Sequence, residues 1–105
     1  MHLCSITEIA HLLRFSVRTI QRRTAAGDLP VQRVAGTPVF DLDAVADKLG
    51  LPTLSLMEGL LTGDEFMAFH AKGMVAAHDY EIVSVFGCDR LVREGSRATT
   101  KPWPT

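Results

Sequence analysis

The chain lacks most of the features that would assign a function class at once. Two cysteines, Cys4 and Cys88, in 105 residues are too few for a disulfide scaffold and read as reduced, cytosolic thiols. No apolar run approaches the ~20 residues a membrane helix needs. Met1 to Ala10 carries Glu8 but no basic residue, so it does not read as a secretory signal. Phosphate loops, Gly-x-Ser-x-Gly elbows and spaced Ser/His/Asp sets are all missing, which removes the common catalytic signatures. Neither Cys-x-x-Cys nor His-x-x-x-His spacing occurs. His70 and His78 on one helix would stand about 12 Å apart, too far to share an ion. The expectation is therefore no enzyme, no metal and no cofactor. Basic excess is also missing. The net charge of −1, taken alone, argues against a nucleic-acid binder.

What is present is an ordinary globular balance, 47% hydrophobic and 22% charged, enough for one domain with a core. The charge is unevenly placed. Arg14 to Arg33 holds five arginines against Asp28, a net of +4. Leu51 to Asp89 holds Lys72 against six acids, a net of −5. Arg90 to Thr105 is +3. A basic front, an acidic middle and a basic tail fit a nucleic-acid contact plus a separate protein contact.

Local signals in the first fifty residues are dense. Ser5-Ile6-Thr7-Glu8 is a capping box. Ile6, Ile9, Ala10, Leu12 and Leu13 follow at helical spacing, so a first helix ends near Leu13 or Arg14. Ser16 caps a second helix, Val17 to Ala26. Val17, Ile20 and Thr24 share one face, and Arg18, Gln21, Arg22 and Ala25 the other. Gly27 closes it and Pro30 forbids continuation. The three residues between the helices match a helix-turn-helix connection. Val31 to Val34 and Val39-Phe40 read as two short strands around a turn, Ala35 to Pro38. Asp41 caps a third helix, Leu42 to Leu49, and Gly50 ends it.

This order resembles the winged helix-turn-helix of the excisionase and MerR-like group over Ile6 to Leu49. Thr7-Glu8-Ile9-Ala10, Ser16-Val17-Arg18-Thr19-Ile20, Gly27-Asp28-Leu29-Pro30 and Asp41-Leu42-Asp43-Ala44-Val45 carry the likeness. The resemblance implies double-stranded DNA as partner, with the second helix in the major groove and the hairpin as a wing. The residue chemistry agrees. Ser16, Arg18 and Thr19 stand at a helix N-terminus that attracts phosphate. Arg18, Gln21 and Arg22 have the chemistry that reads guanine and adenine edges. Arg14, Arg23 and Arg33 suit backbone contacts, with Gly36 and Thr37 at the wing turn. Two positions depart from the family. Arg23 stands where an aromatic is usual, and the wing turn lacks a basic residue. So few charges imply loose binding by one copy, and hence several copies or a dimer.

The second half resembles no family. Leu51-Pro52-Thr53 marks a boundary, Leu54 to Leu61 a short helix, and Thr62 or Asp64 the cap of a helix from Glu65 to His78. That helix is too apolar all round to stand free. Leu56, Leu60, Phe66, Phe69 and Met74 are accordingly candidates for oligomerisation or a partner contact. Tyr80 to Phe86 reads as a single strand in need of a partner, and Gly95 to Thr105 as a mobile tail. The expected fold is mainly α, a winged helix-turn-helix with a helical extension carrying one strand. Its segments are 1–50, 51–88 and a basic 89–105. The expected function is an excisionase-type protein that binds and bends DNA as several copies to direct an integrase. Its expected site of action is the cytoplasmic nucleoid. The alternatives are a dimeric regulator or phage repressor with the same head, and an interaction module that uses the acidic middle.

Overall fold

The computed structural model describes residues 2–93. Helix α1 (Ile6–Leu13) starts at Ser5 through the expected capping box. Ser5 Oγ accepts from the Glu8 N–H at 3.2 Å, and Glu8 Oε1 accepts from the Ser5 N–H at 2.8 Å. The helix stops because Arg14 turns left-handed, at φ 62°, a conformation that costs a non-glycine residue roughly 1–2 kcal/mol.

That cost is offset by what Arg14 and its neighbours do for the end of α1. The last carbonyls of a helix have no intrahelical donors and must find others. Here Phe15 N–H donates to Ala10 O at 2.9 Å, and Arg14 N–H to His11 O at 3.3 Å. Leu60 N–H donates to Leu12 O at 2.9 Å. Arg90 donates from Nε to Leu13 O at 3.1 Å and from Nη2 to Arg14 O at 2.7 Å. The Arg90 guanidinium also lies 4.1 Å from the Phe15 ring centroid.

Ser16 caps α2 (Val17–Ala25), and its Oγ accepts from the Thr19 N–H at 3.1 Å. Strands β2 (Gln32–Val34) and β3 (Thr37–Asp41) form an antiparallel hairpin. The four-residue turn expected at Ala35 to Pro38 is in fact two residues. Ala35 and Gly36 both have positive φ, 54° and 82°, the pattern of a type I′ turn, whose twist matches the flanking strands. Pro38 therefore sits inside β3, opposite Arg33. That pair is a non-hydrogen-bonded one, so the missing N–H costs the hairpin nothing. Strand β1 (Leu3–Cys4), absent from the sequence reading, pairs with Phe40 and Asp41 and completes a three-stranded sheet in the order β1-β3-β2. Asp41 then caps α3 (Leu42–Leu49), accepting from the Asp43 N–H at 3.1 Å.

Past Pro52 come α4 (Thr53–Glu58) and α5 (Gly63–Ala71). Thr62 and Glu65 make a second capping box at the start of α5. This helix ends at Ala71, not His78. Gly73 adopts φ 74°, and the Gly73 and Met74 N–H groups close back onto His70 O and Phe69 O. A 3-10 turn, Ala77–Asp79, follows. The expected lone strand also has a partner. β4 (Tyr80–Val85) pairs with β5 (Cys88–Arg93) through a two-residue turn, Phe86-Gly87, with φ 53° and 80°. β5 was hidden because Asp89, Arg90 and Arg93 made it read as the start of a charged tail. The rest of that tail, 94–105, lies outside the described residues. The architecture is thus a small α+β fold with five α-helices and antiparallel strands among the described residues, more β-rich than the mainly α expectation.

One hydrophobic core crosses the boundary expected at Gly50. Ile9, Leu13, Ile20, Phe40 and Val45 share it with Leu56, Leu60, Val85 and Val92. Leu56 and Leu60 are fully buried there, so these two candidates for oligomerisation face their own chain. Phe66 and Phe69 are half-buried, while Met74 is 65% exposed.

Two outcomes follow from this packing. A fragment ending at Gly50 is expected to lack cooperative unfolding in urea, because it loses Leu56, Leu60, Val85 and Val92 from its core. Arg90→Ala in the whole chain is expected to lower stability by about 2 kcal/mol, the cost of leaving Leu13 O and Arg14 O without their donors. Arg90→Lys should recover only part, since an ammonium lacks the planar fork that spans two carbonyls.

Candidate nucleic-acid interface

The basic block from Arg14 to Arg33 divides into two groups once its partners are seen. Arg14 Nε donates to both oxygens of Glu65, at 2.9 and 3.1 Å. Arg23 Nη1 pairs with Asp28 at 3.2 Å, and its guanidinium lies 5.1 Å from the Phe86 ring centroid. Its Nη2 also reaches Phe86 O at 3.4 Å. Arg23, expected on a phosphate, is thus held by its own chain. The aromatic missing at position 23 is supplied across space by Phe86, whose ring also meets Phe15 at 5.5 Å.

The second group is open. Arg18, Gln21, Arg22 and Ala25 are exposed on one face of α2, while Ile20 is buried on the other. Among the described residues no carboxylate pairs with Arg18, Arg22 or Arg33. Ser16 is exposed and Thr19 half-exposed. A short polar chain runs along the helix, from Ser16 Oγ to Thr19 Oγ1 at 3.0 Å and on to Arg22 Nη2 at 3.4 Å. Beyond the capped Thr19 N–H, the first α2 amides, Val17 and Arg18, have no intrahelical acceptor. They leave a positive dipole end facing solvent beside Arg18.

The β2–β3 hairpin faces this helix across an open cleft of about 430 Å³. Gln21, Thr24 and Ala25 form one wall, Arg33 and Pro38 the other, and Phe40 lies at its base. Arg33 folds over the hairpin tip, donating from Nη1 to Gly36 O at 3.4 Å, and Gly36 and Thr37 are exposed beside it. The structure therefore brings Ser16, Arg18, Thr19, Gln21 and Arg22 onto α2, with Arg33, Gly36 and Thr37 on the neighbouring hairpin.

Phe86 and Arg90, which fix the position of α2 and the turn before it, were missed in the sequence. The available signal was Phe86-Gly87 at the end of the alternating run Tyr80 to Val85, the same kind of turn as Ala35-Gly36. Burial, then the Glu8 and Asp41 charges, push the Cys4 thiol up, away from the thiolate a nucleophile needs. Among the described residues no three His, Cys, Asp or Glu side chains gather around a point that could hold a metal ion. None of the described helices is long and apolar enough to cross a membrane. Comparison with family models, curated proteins and solved structures found no match.

The Arg14–Glu65 pair ties the turn before α2 to α5 and carries a pH dependence. Burial acts to raise the Glu65 carboxyl, but the Thr62 amide and the Arg14 guanidinium outweigh it, and the pKa falls below its ordinary 4.5. A depressed carboxyl stabilises the fold above its unfolded pKa and loses that effect as pH falls through the folded value. Resistance to thermal unfolding is therefore expected to fall on acidification below pH 4.5. Glu65→Gln should make that decline shallower and lower stability at neutral pH.

Proposed function

We propose that this protein binds duplex DNA, with α2 in the major groove and the β2–β3 hairpin against the neighbouring backbone as a wing. The observation that carries the reading is the sorting of its arginines. Arg14, Arg23 and Arg90 are occupied inside the chain, whereas Arg18, Arg22 and Arg33 stand exposed on adjoining surfaces with no acidic partner among the described residues. The element order α1–turn–α2–hairpin–α3 supports the winged helix-turn-helix reading that the sequence resemblance implies. Arg18, Gln21 and Arg22 supply base-edge chemistry. The α2 amides, Ser16, Thr19, Arg33, Gly36 and Thr37 supply positioning contacts to phosphate and sugar.

Affinity in this reading is modest. Few open cations neutralise few phosphates, and each contributes to the salt dependence of binding. Useful occupancy then comes from several copies side by side, which suits an excisionase-type architectural factor that bends DNA for an integrase in the cytoplasmic nucleoid. The dimeric-repressor reading has less support, because Leu56 and Leu60 are inside the core.

In a gel-shift assay with random duplex, the wild-type chain is expected to bind at low salt and to weaken as salt rises, with the shallow slope that few phosphate contacts give. Arg18→Ala and Arg22→Ala should each reduce affinity by about 1–3 kcal/mol, as expected for lost guanine contacts. Arg23→Ala should lower stability with little change in DNA affinity. No shift by the wild-type chain at any salt would reject the proposal. So would full binding by the Arg18→Ala, Arg22→Ala double variant.

A further inference from the structure

The β4–β5 hairpin has one edge closed and one open. On β5, Leu91 exchanges two backbone hydrogen bonds with Leu61, N–H to O at 2.8 Å and O to N–H at 3.1 Å. Leu61 thus acts as a one-residue third strand. The six-pair register, closed by a two-residue turn, makes Val85–Cys88, Val83–Arg90 and Glu81–Val92 the hydrogen-bonded pairs,. The backbone groups of Tyr80, Ile82 and Ser84 therefore point away from β5. The Tyr80 N–H is taken by Ala77 O, whereas the outward groups of Ile82 and Ser84 have no backbone partner among the described residues.

Natural edges are usually guarded by shortness, a charged side chain (lysine above all), proline or a bulge; the one charged residue on β4, Glu81, is half-buried. The other long-edge candidate, β2, is guarded twice, being three residues long and carrying Arg33. β4 is six residues long, reads Tyr-Glu-Ile-Val-Ser-Val and pairs without a bulge. It contains no lysine, arginine or proline. Ile82, at the middle of the edge, is 66% exposed.

We propose that the open edge of β4 is a docking site for an extended segment of a partner polypeptide, basic and alternating with apolar residues. Backbone groups of Ile82 and Ser84 pair with the added strand, and its apolar residues cover Ile82. Charge selects the partner. From Ala77 to Asp89 the chain holds Asp79, Glu81 and Asp89 and no lysine or arginine, and Asp79 and Asp89 are exposed near the two ends of β4. Pairing of two β4 edges would instead bring two such acidic surfaces together, which disfavours a second copy. The site is separate from α2, and its test does not depend on DNA binding.

The test uses the full chain and a short capped peptide of alternating valine and lysine. Two controls have glutamate in place of lysine, or N-methyl groups on alternate residues. The lysine peptide is expected to slow amide hydrogen exchange at Ile82 and Ser84, and neither control should do so. Ser84→Pro removes only an outward N–H, so the Val83 and Val85 amides should stay protected while peptide affinity falls about tenfold, roughly one hydrogen bond. Ile82→Lys, a surface change, should weaken binding as well and serves if the proline variant does not fold. Equal binding of the lysine and glutamate peptides would overturn the proposal, as would exchange protection confined to α2. A β4-mediated homodimer abolished by Ser84→Pro would also overturn it, by naming a second copy as the occupant.

Discussion

The fold depends on the end of α1. A three-residue turn leaves the next helix no room to shield the carbonyls of Ala10 to Arg14, and buried carbonyls without donors are costly. The donors come from far along the chain. Leu60 supplies one amide and Arg90 two guanidinium N–H groups, while Arg14 itself turns left-handed to serve His11 O and presents its own side chain to Glu65. The positions of α4, α5 and β5 are set by this requirement. It also explains why Val85 and Val92 share a core with Ile9 and Leu13. The second half is the completion of the first helix pair and not an appendage to it.

The same constraint changes the meaning of the charge. Whole-chain charge pointed away from nucleic acid, and block charge pointed towards it. Neither is the right unit. Arg90 counted as part of a basic tail but works as a helix cap stacked on Phe15. Arg14 and Arg23 counted towards a recognition segment but are neutralised by Glu65 and Asp28. The charge on offer to a partner is smaller than the sequence count and more sharply placed, on the outer face of α2 and the adjoining hairpin.

What was legible in the sequence follows from range. Ser5 with Glu8, Ser16, Asp41 and the option of Thr62 all announce helix starts, because a cap satisfies amides within three residues of itself. Gly27 and Gly50 announce ends for the same local reason. The exposed face of α2 was legible from helical spacing alone. Illegible were the features that other parts of the chain decide. β1 is two residues long and exists only because Phe40 and Asp41 are there to pair with it. β5 has its alternation interrupted by Asp89, Arg90 and Arg93. The roles of Arg14, Arg23 and Leu56 were invisible because their partners lie across the fold.

The two hairpins show how one local signal acquires two uses. Both turn on a residue and a glycine at positive φ, Ala35-Gly36 and Phe86-Gly87. The first turn offers only a methyl group, and Ala35 is exposed. Its tip stays exposed, with Arg33 folded over it, free to meet another surface. The second offers an aromatic ring, and Phe15 and Arg23 close on that ring from the connecting turn and from α2. Its tip is thereby fixed, and its positive φ is held by packing. Fixing the tip leaves the hairpin only its side to present. With Leu61 already on the β5 side, the remaining surface is the β4 edge. A single choice between alanine and phenylalanine thus separates a hairpin that presents its tip from one that presents its strand.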